Sequence, residues 1–116
     1  MLRLASERES LNVVDDQIGT PTNANDLADA IIKIILSKNQ AYGTYHFSNE
    51  GQASWYDFAK EIFRVNNVQI NLQPIPTTAF PTPAKRPKYS VLDKSKIKQT
   101  FGIAINDWRD SLKKFT

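Results

Sequence analysis

The stretch DDQIGTPTNANDLA, residues 15–28, crowds two acids, an amide, a glycine and a proline just ahead of a helical pattern. A strand-to-helix connection needs only a turn residue and a cap. The surplus polar chemistry points to a loop shaped to meet something outside the domain. Behind it, LNVV at 11–14 reads as a short strand that ends on the acidic pair. Ahead of it, Leu27, Ile31, Ile34 and Ile35 recur at i, i+4, i+7 and i+8, one apolar stripe at helical period facing a core. Thr22, Asn23 and Asn25 are all candidate caps, and Asp26 and Asp29 suit the positive end of that helix.

Working outward, the pattern alternates. Residues 1–10, MLRLASERES, read as the end of a helix whose beginning is missing. YGTYHFSNEG predicts a strand at 44–47 between glycine-bearing turns. Ser54 then opens a helix with Asp57 three positions on, the spacing of a capping box. Trp55, Phe58, Ala59, Ile62 and Phe63 give it a wide core-facing stripe. Trp55 is read as a core residue, with stacking on a base or sugar as the alternative, and for Tyr56, off that stripe, both readings stay open. A short strand is expected at 69–72.

Residues 73–90, QPIPTTAFPTPAKRPKYS, hold five of the six prolines. Proline fixes its own backbone and drives its predecessor extended, so this is a stiff, largely helix-free arm. Two short helices follow, at 93–101 stopped by Gly102 and at 107–115 capped by Asn106. The order predicts an α/β fold, close to a small α+β domain, with few short strands and about four helices. Two or three strands make a thin sheet, so the chain is expected to be part of something larger.

The chain has 116 residues, one domain's worth, with 41% hydrophobic and 23% charged. Those fractions are ordinary for a globular protein and argue against disorder. There is no cysteine, which excludes disulfides, thiol catalysis and thiolate metal sites. The net charge of +3 is spread along the chain, and the densest basic stretch, Lys85-Arg86-Pro87-Lys88, is too short for a nucleic-acid face. No apolar run is long enough to span a membrane and no secretory leader is evident, so the expected location is the cytoplasm.

Motifs of chemistry are few. There is no glycine-rich strand-to-helix turn for a dinucleotide and no phosphate loop. The single histidine, His46, falls inside a predicted strand and is read as structural. Asp15 and Asp16 are read as turn-formers, with acid/base chemistry or a hard metal as the alternative. Arg86, between Pro83 and Pro87, would be held on a stiff arm, where a guanidinium meets phosphate oxygens at reduced entropic cost. A solvated surface arginine fits the same pattern.

Three stretches together resemble a known family. VVDDQIGTPTNANDLA (13–28), GTYHFSNEGQASWYDFAKEIF (43–63), and FPTPAKRPKYSVLDKSKIKQTFGI with DWRDSLKKF (80–115) are similar to the dTDP-4-dehydrorhamnose reductases, members of the extended short-chain dehydrogenases/reductases. The resemblance covers essentially the whole chain. It implies a two-lobed enzyme that reduces dTDP-4-dehydro-6-deoxy-L-mannose to dTDP-L-rhamnose with NADPH or NADH. This chain would be residues 1–116 of its C-terminal, substrate-binding lobe, without the N-terminal NAD(P)-binding Rossmann lobe that carries the Tyr-x-x-x-Lys pair.

By that likeness Arg86 would contact the diphosphate of the dTDP-sugar, and Gln17 and Thr22 would sit at the cleft, with Gly19 and Pro21 fixing the path of the loop. Tyr56 and Lys60 match Tyr-x-x-x-Lys in spacing but occur in a different helix, and the match is read as coincidence. Some members are dimers bridged by magnesium through glutamates; no position here matches those, so a homodimer is open and no metal site is assigned. Relatives with this signature also act as regulatory subunits of methionine adenosyltransferase, and a non-catalytic interaction module is the alternative.

Overall fold

The computed structural model describes residues 1–115. Helix α1 (Leu2–Glu7) leads into β1 (Ser10–Val14), followed by β2 (Ile18–Gly19), helix α2 (Ala24–Ser37), β3 (Ala53–Ser54), helix α3 (Trp55–Val65), β4 (Asn71–Ile75), a 3-10 turn at Thr77–Ala79, and helices α4 (Ser95–Phe101) and α5 (Trp108–Phe115). The mixture of helices with few short strands is the α/β class expected.

The strands form two separate pairs. β1 runs parallel to β4, with Leu11 opposite Leu72 and Val14 opposite Ile75, and β2 runs antiparallel to β3. The 69–72 expectation is therefore shifted: the strand runs on through Gln73 and Pro74. Proline lacks a ladder donor, but an edge strand tolerates it because only one side of the strand must pair. The first residues of the expected proline arm are thus a strand, and the free arm starts after the 3-10 turn.

Residues 44–47 form no strand. Tyr45 and Phe47 are half-buried against Ala30, Ile97 and Ile103, while Thr44 and His46 are exposed, so the side chains alternate as they would in a sheet. No partner strand lies beside them among the described residues. A strand needs a neighbour to accept its ladder hydrogen bonds. His46, expected inside that strand, is instead an exposed side chain.

The helix ends follow local chemistry. Asn23 caps α2, its Oδ1 accepting from the N–H groups of Asn25 and Asp26 at 2.8 and 3.1 Å. Ser54 and Asp57 make a reciprocal capping box at α3. Gly102 closes α4 at φ 64°, a left-handed position that glycine adopts without a Cβ penalty. At α5 the cap is Asp107, whose Oδ1 accepts from Arg109 N–H at 2.9 Å, and not Asn106. The Asn106 carbonyl is occupied by Glu50 N–H.

Packing is divided among three small clusters: Leu11 with Ala59 and Phe63, Ala30 with Ile97 and Ile103, and Ala53 with Trp108 and Leu112. The radius of gyration is 16.7 Å and the extents are 51 × 31 × 19 Å; a compact domain of this length has a radius near 13 Å. Helix α2 explains part of the flatness. Ala30 is buried and Ile34 packs inward, but Leu27, Ile31, Ile32, Ile35 and Leu36 are exposed, Ile35 at 68% and Leu36 at 72%. Most of the stripe expected in the core therefore faces outward. A helix apolar on two sides is a helix for the middle of a larger body.

Candidate functional site

The residue 15–22 elbow is fixed along both edges at Ile18–Gly19. Ile18 N–H donates to the Lys88 carbonyl and Ser90 N–H donates to the Ile18 carbonyl, both at 2.8 Å. On its other side β2 pairs with β3. The elbow is thus the middle of a three-segment strip, with the start of α3 on one flank and the proline arm on the other. Gly19 permits this closeness: a Cβ there would stand 2.9 Å from Ser90 Oγ.

Over this strip lies an open cleft of about 490 Å³, lined among others by Gln17, Thr22, Trp55, Phe58, Arg86 and Pro87. The three residues singled out from the sequence, Gln17, Thr22 and Arg86, come from positions 69 apart at the extremes and are brought to one cavity. Arg86 is exposed to solvent. Neither Tyr56 nor Lys60 lines the cleft.

Asp16 does not face the cleft as a free acid. Its carboxylate accepts from Thr77 N–H at 3.0 and 3.1 Å and from the Thr77 hydroxyl. Those bonds, with the hydroxyl contributing most, hold the Asp16 carboxyl below its ordinary value. The acid fastens the 3-10 turn to the elbow. Among the described residues no group of three or more His, Asp or Glu is arranged to hold a metal ion, and no helix is long and apolar enough to cross a membrane.

Trp55 overturns its expected core role. It is 55% exposed, against 2% for Trp108. Helix α3 packs through Ala59 and Phe63, and its first residue overhangs the core at the cleft rim. The indole Nε1–H donates to Gln17 Oε1 at 3.3 Å. The periodic pattern could not separate Trp55 from the buried members because period fixes a direction and not how far the core extends.

Sequence reasoning also missed a buried polar knot beneath the elbow. Asn49 Oδ1 accepts from Asn23 N–H at 2.7 Å, and its Nδ2 donates to Asp26 Oδ2 at 2.7 Å, to Ser111 Oγ at 3.1 Å and to the Asn106 carbonyl at 3.2 Å. The Ser111 hydroxyl donates to the same Asp26 oxygen. These bonds, Ser111 first, lower the Asp26 carboxyl from its ordinary value against the opposing effect of burial. Beside the knot, the buried Lys94 donates to Ser48 Oγ at 3.2 Å and to the Asn49 carbonyl at 3.1 Å. Nothing in the local sequence joins positions 26, 49 and 111.

The chain's own residues do not fit a dinucleotide. The connection between β1 and α2 has Gly19 as its one glycine and no glycine-rich turn, and the start of α2 already holds the Asp26 carboxylate, which repels a pyrophosphate.

An elbow, a helix start and a cationic arm around one open cleft define a ligand-binding lobe of the α/β class. The whole chain, residues 1–116, matches the family described as RmlD substrate binding domain, and the protein belongs to that family. The dTDP-4-dehydrorhamnose reductase of Aggregatibacter actinomycetemcomitans is 49% identical over 123 residues, covering 97% of this chain and 42% of that protein. Among solved structures, a dTDP-4-dehydrorhamnose reductase from Clostridium acetobutylicum superimposes with TM-score 0.92 at 46% identity, over 98% of this chain and 40% of its own. The Bacillus anthracis enzyme, solved in complex with NADP, gives TM-score 0.90 at 41% identity, over 98% and 39%. The chain therefore spans about two-fifths of the length of these relatives.

Proposed function

We propose that the cleft binds the dTDP-sugar of a dTDP-4-dehydrorhamnose reductase, the enzyme that reduces dTDP-4-dehydro-6-deoxy-L-mannose to dTDP-L-rhamnose with NADPH or NADH. Arg86 grips the diphosphate, and Gln17 and Thr22 line the approach to the sugar carrier. One observation carries this reading: Arg86, Gln17 and Thr22, far apart in sequence, line one cleft of about 490 Å³. A planar guanidinium pairs with two phosphate oxygens at once, which suits a diphosphate. The reductase names of the relatives favour this reading over a regulatory module.

The hydride donor belongs to a cofactor-binding Rossmann lobe supplied by the rest of such a reductase, and that lobe packs on the outward apolar face of α2. The exposed Ile31, Ile35 and Leu36 support this. The proposed location is the cytoplasm.

Calorimetry or ligand-observed NMR on the 116-residue chain tests the reading. One wall of a cleft offers few contacts, so dTDP should bind with millimolar Kd, about −4 kcal/mol, and NADPH should not bind. Arg86→Ala should abolish dTDP binding with the thermal midpoint unchanged. Tight NADPH binding, or unchanged dTDP affinity with a lowered midpoint in Arg86→Ala, overturns it.

A further inference from the structure

We propose that Trp55 is the base-recognition residue of the cleft, its indole face stacking on the nucleobase of the bound nucleotide. The inference rests on the nucleotide-binding reading of the cleft and assigns the end of the ligand that Arg86 leaves unread.

Trp55 is 55% exposed at the rim of the cavity that Arg86 also lines. An aromatic left in water is costly unless something else covers it. A polar relay holds the edge of its ring. Indole nitrogen can only donate, so Gln17 must turn its Oε1 toward Trp55, where the separation is 3.3 Å. That orientation sends Gln17 Nε2 to Thr77 Oγ1 at 3.2 Å. The Thr77 hydroxyl, now an acceptor from Gln17, spends its own proton on the Asp16 carboxylate. Each donor has one acceptor, and the relay ends on a charge. The edge of the indole is held while its ring stays partly in solvent, the arrangement a stacking platform requires.

The spacing also suits a nucleotide. Trp55 adjoins β3 on one flank of Ile18–Gly19, and Arg86 precedes the Lys88–Ser90 segment on the other. Two inter-strand spacings separate the flanks by about 10 Å, the scale of a nucleoside measured from base to diphosphate. Gln17 accordingly has a positioning role, acting through Trp55.

The test follows the indole N–H resonance of Trp55 in the 116-residue chain, identified by its loss in Trp55→Phe, during titration with dTDP and with inorganic pyrophosphate. The expected result is a shift of that resonance with dTDP but not with pyrophosphate. Trp55→Ala should bind dTDP roughly tenfold or more weakly and pyrophosphate as the wild type does. Trp55→Phe, which keeps a ring, should retain most of the affinity. Gln17→Leu should give a smaller loss, together with faster solvent exchange of the indole proton. If Trp55→Ala binds dTDP like the wild type while Arg86→Ala does not, the cleft reading stands and the role of Trp55 is overturned. If the wild-type chain does not bind dTDP at all, both fall.

Discussion

Asn49 Nδ2 stands 2.7 Å from Asp26 Oδ2, joining the segment after residue 47 to the start of α2, 23 positions away in sequence. Asn49 is fully buried and bonds as well to Asn23, Asn106 and Ser111. It therefore fastens α2, the residue 48–50 turn and α5 together directly beneath the elbow that builds the cleft.

Asn49→Ala removes that fastening and leaves the Asn23 N–H and the Asp26 carboxylate short of a buried partner. Each unsatisfied buried group costs about 1–3 kcal/mol, so the substitution should lower unfolding free energy by roughly 3 kcal/mol. Urea denaturation checks this. A loss below about 1 kcal/mol would mean that water replaces the side chain without penalty.

The same knot makes acid stability depend on Asp26. Its folded carboxyl lies below the ordinary value of 3.8. A depressed folded value means that the ionised acid stabilises the fold at pH above about 4, and that this contribution is lost as pH falls through the lower folded value. The stability gap between wild type and Asp26→Asn should therefore be widest near neutrality and shrink between about pH 4 and pH 2. A gap that stays constant over that range would show that hydrogen-bond geometry, and not charge, is what Asp26 supplies.

Thr77→Val deletes the hydroxyl that lowers Asp16 most. NMR titration of the side-chain carboxyl should show the Asp16 value rising toward 3.8 without reaching it, because the Thr77 N–H bonds at 3.0 and 3.1 Å survive. No rise would assign the shift to the backbone donor alone.

Ile35 and Leu36, more than two-thirds exposed on α2, contribute little to this chain's own core. The double substitution Ile35→Lys and Leu36→Lys should leave thermal stability within about 0.5 kcal/mol of wild type, as for ordinary surface positions. Self-association measured by sedimentation should fall, because exposed apolar patches drive association. A large destabilisation would place that face in an intramolecular contact.

Much of this molecule is local in origin and was readable before any coordinates. The Ser54–Asp57 pair had to begin a helix because its side chains reach the first free N–H groups, and Gly102 had to end one because it enters the left-handed region. At α2 the sequence offered Thr22, Asn23 and Asn25 alike, and the structure selects Asn23. The 11–14 strand and the family likeness in the 13–28 and 80–103 stretches were equally legible. What local sequence could not supply is the extent of the core and the identity of neighbours. The 44–47 segment has the alternation of a strand but gains no ladder without a second chain segment beside it. Trp55 keeps the period of its helix yet overhangs the cleft, because α3 continues past the residues that cover it. Leu27, Ile31 and Ile35 keep theirs and are left 37%, 48% and 68% exposed, while Ala30 and Ile34 join the cluster with Ile97 and Ile103.

By itself the sequence determined the helical segments, the caps of α3 and α4, the 11–14 strand and the family, since each depends on side chains a few positions apart or on a string of residues taken together. Only the tertiary structure decided that Arg86 and Gln17 share a cleft, that Gln17 holds Trp55, and that Asn49 ties Asp26 to Ser111. Those relations join residues tens of positions apart, and hydrogen bonds act over about 3 Å, so they exist only once the chain has brought its distant segments together.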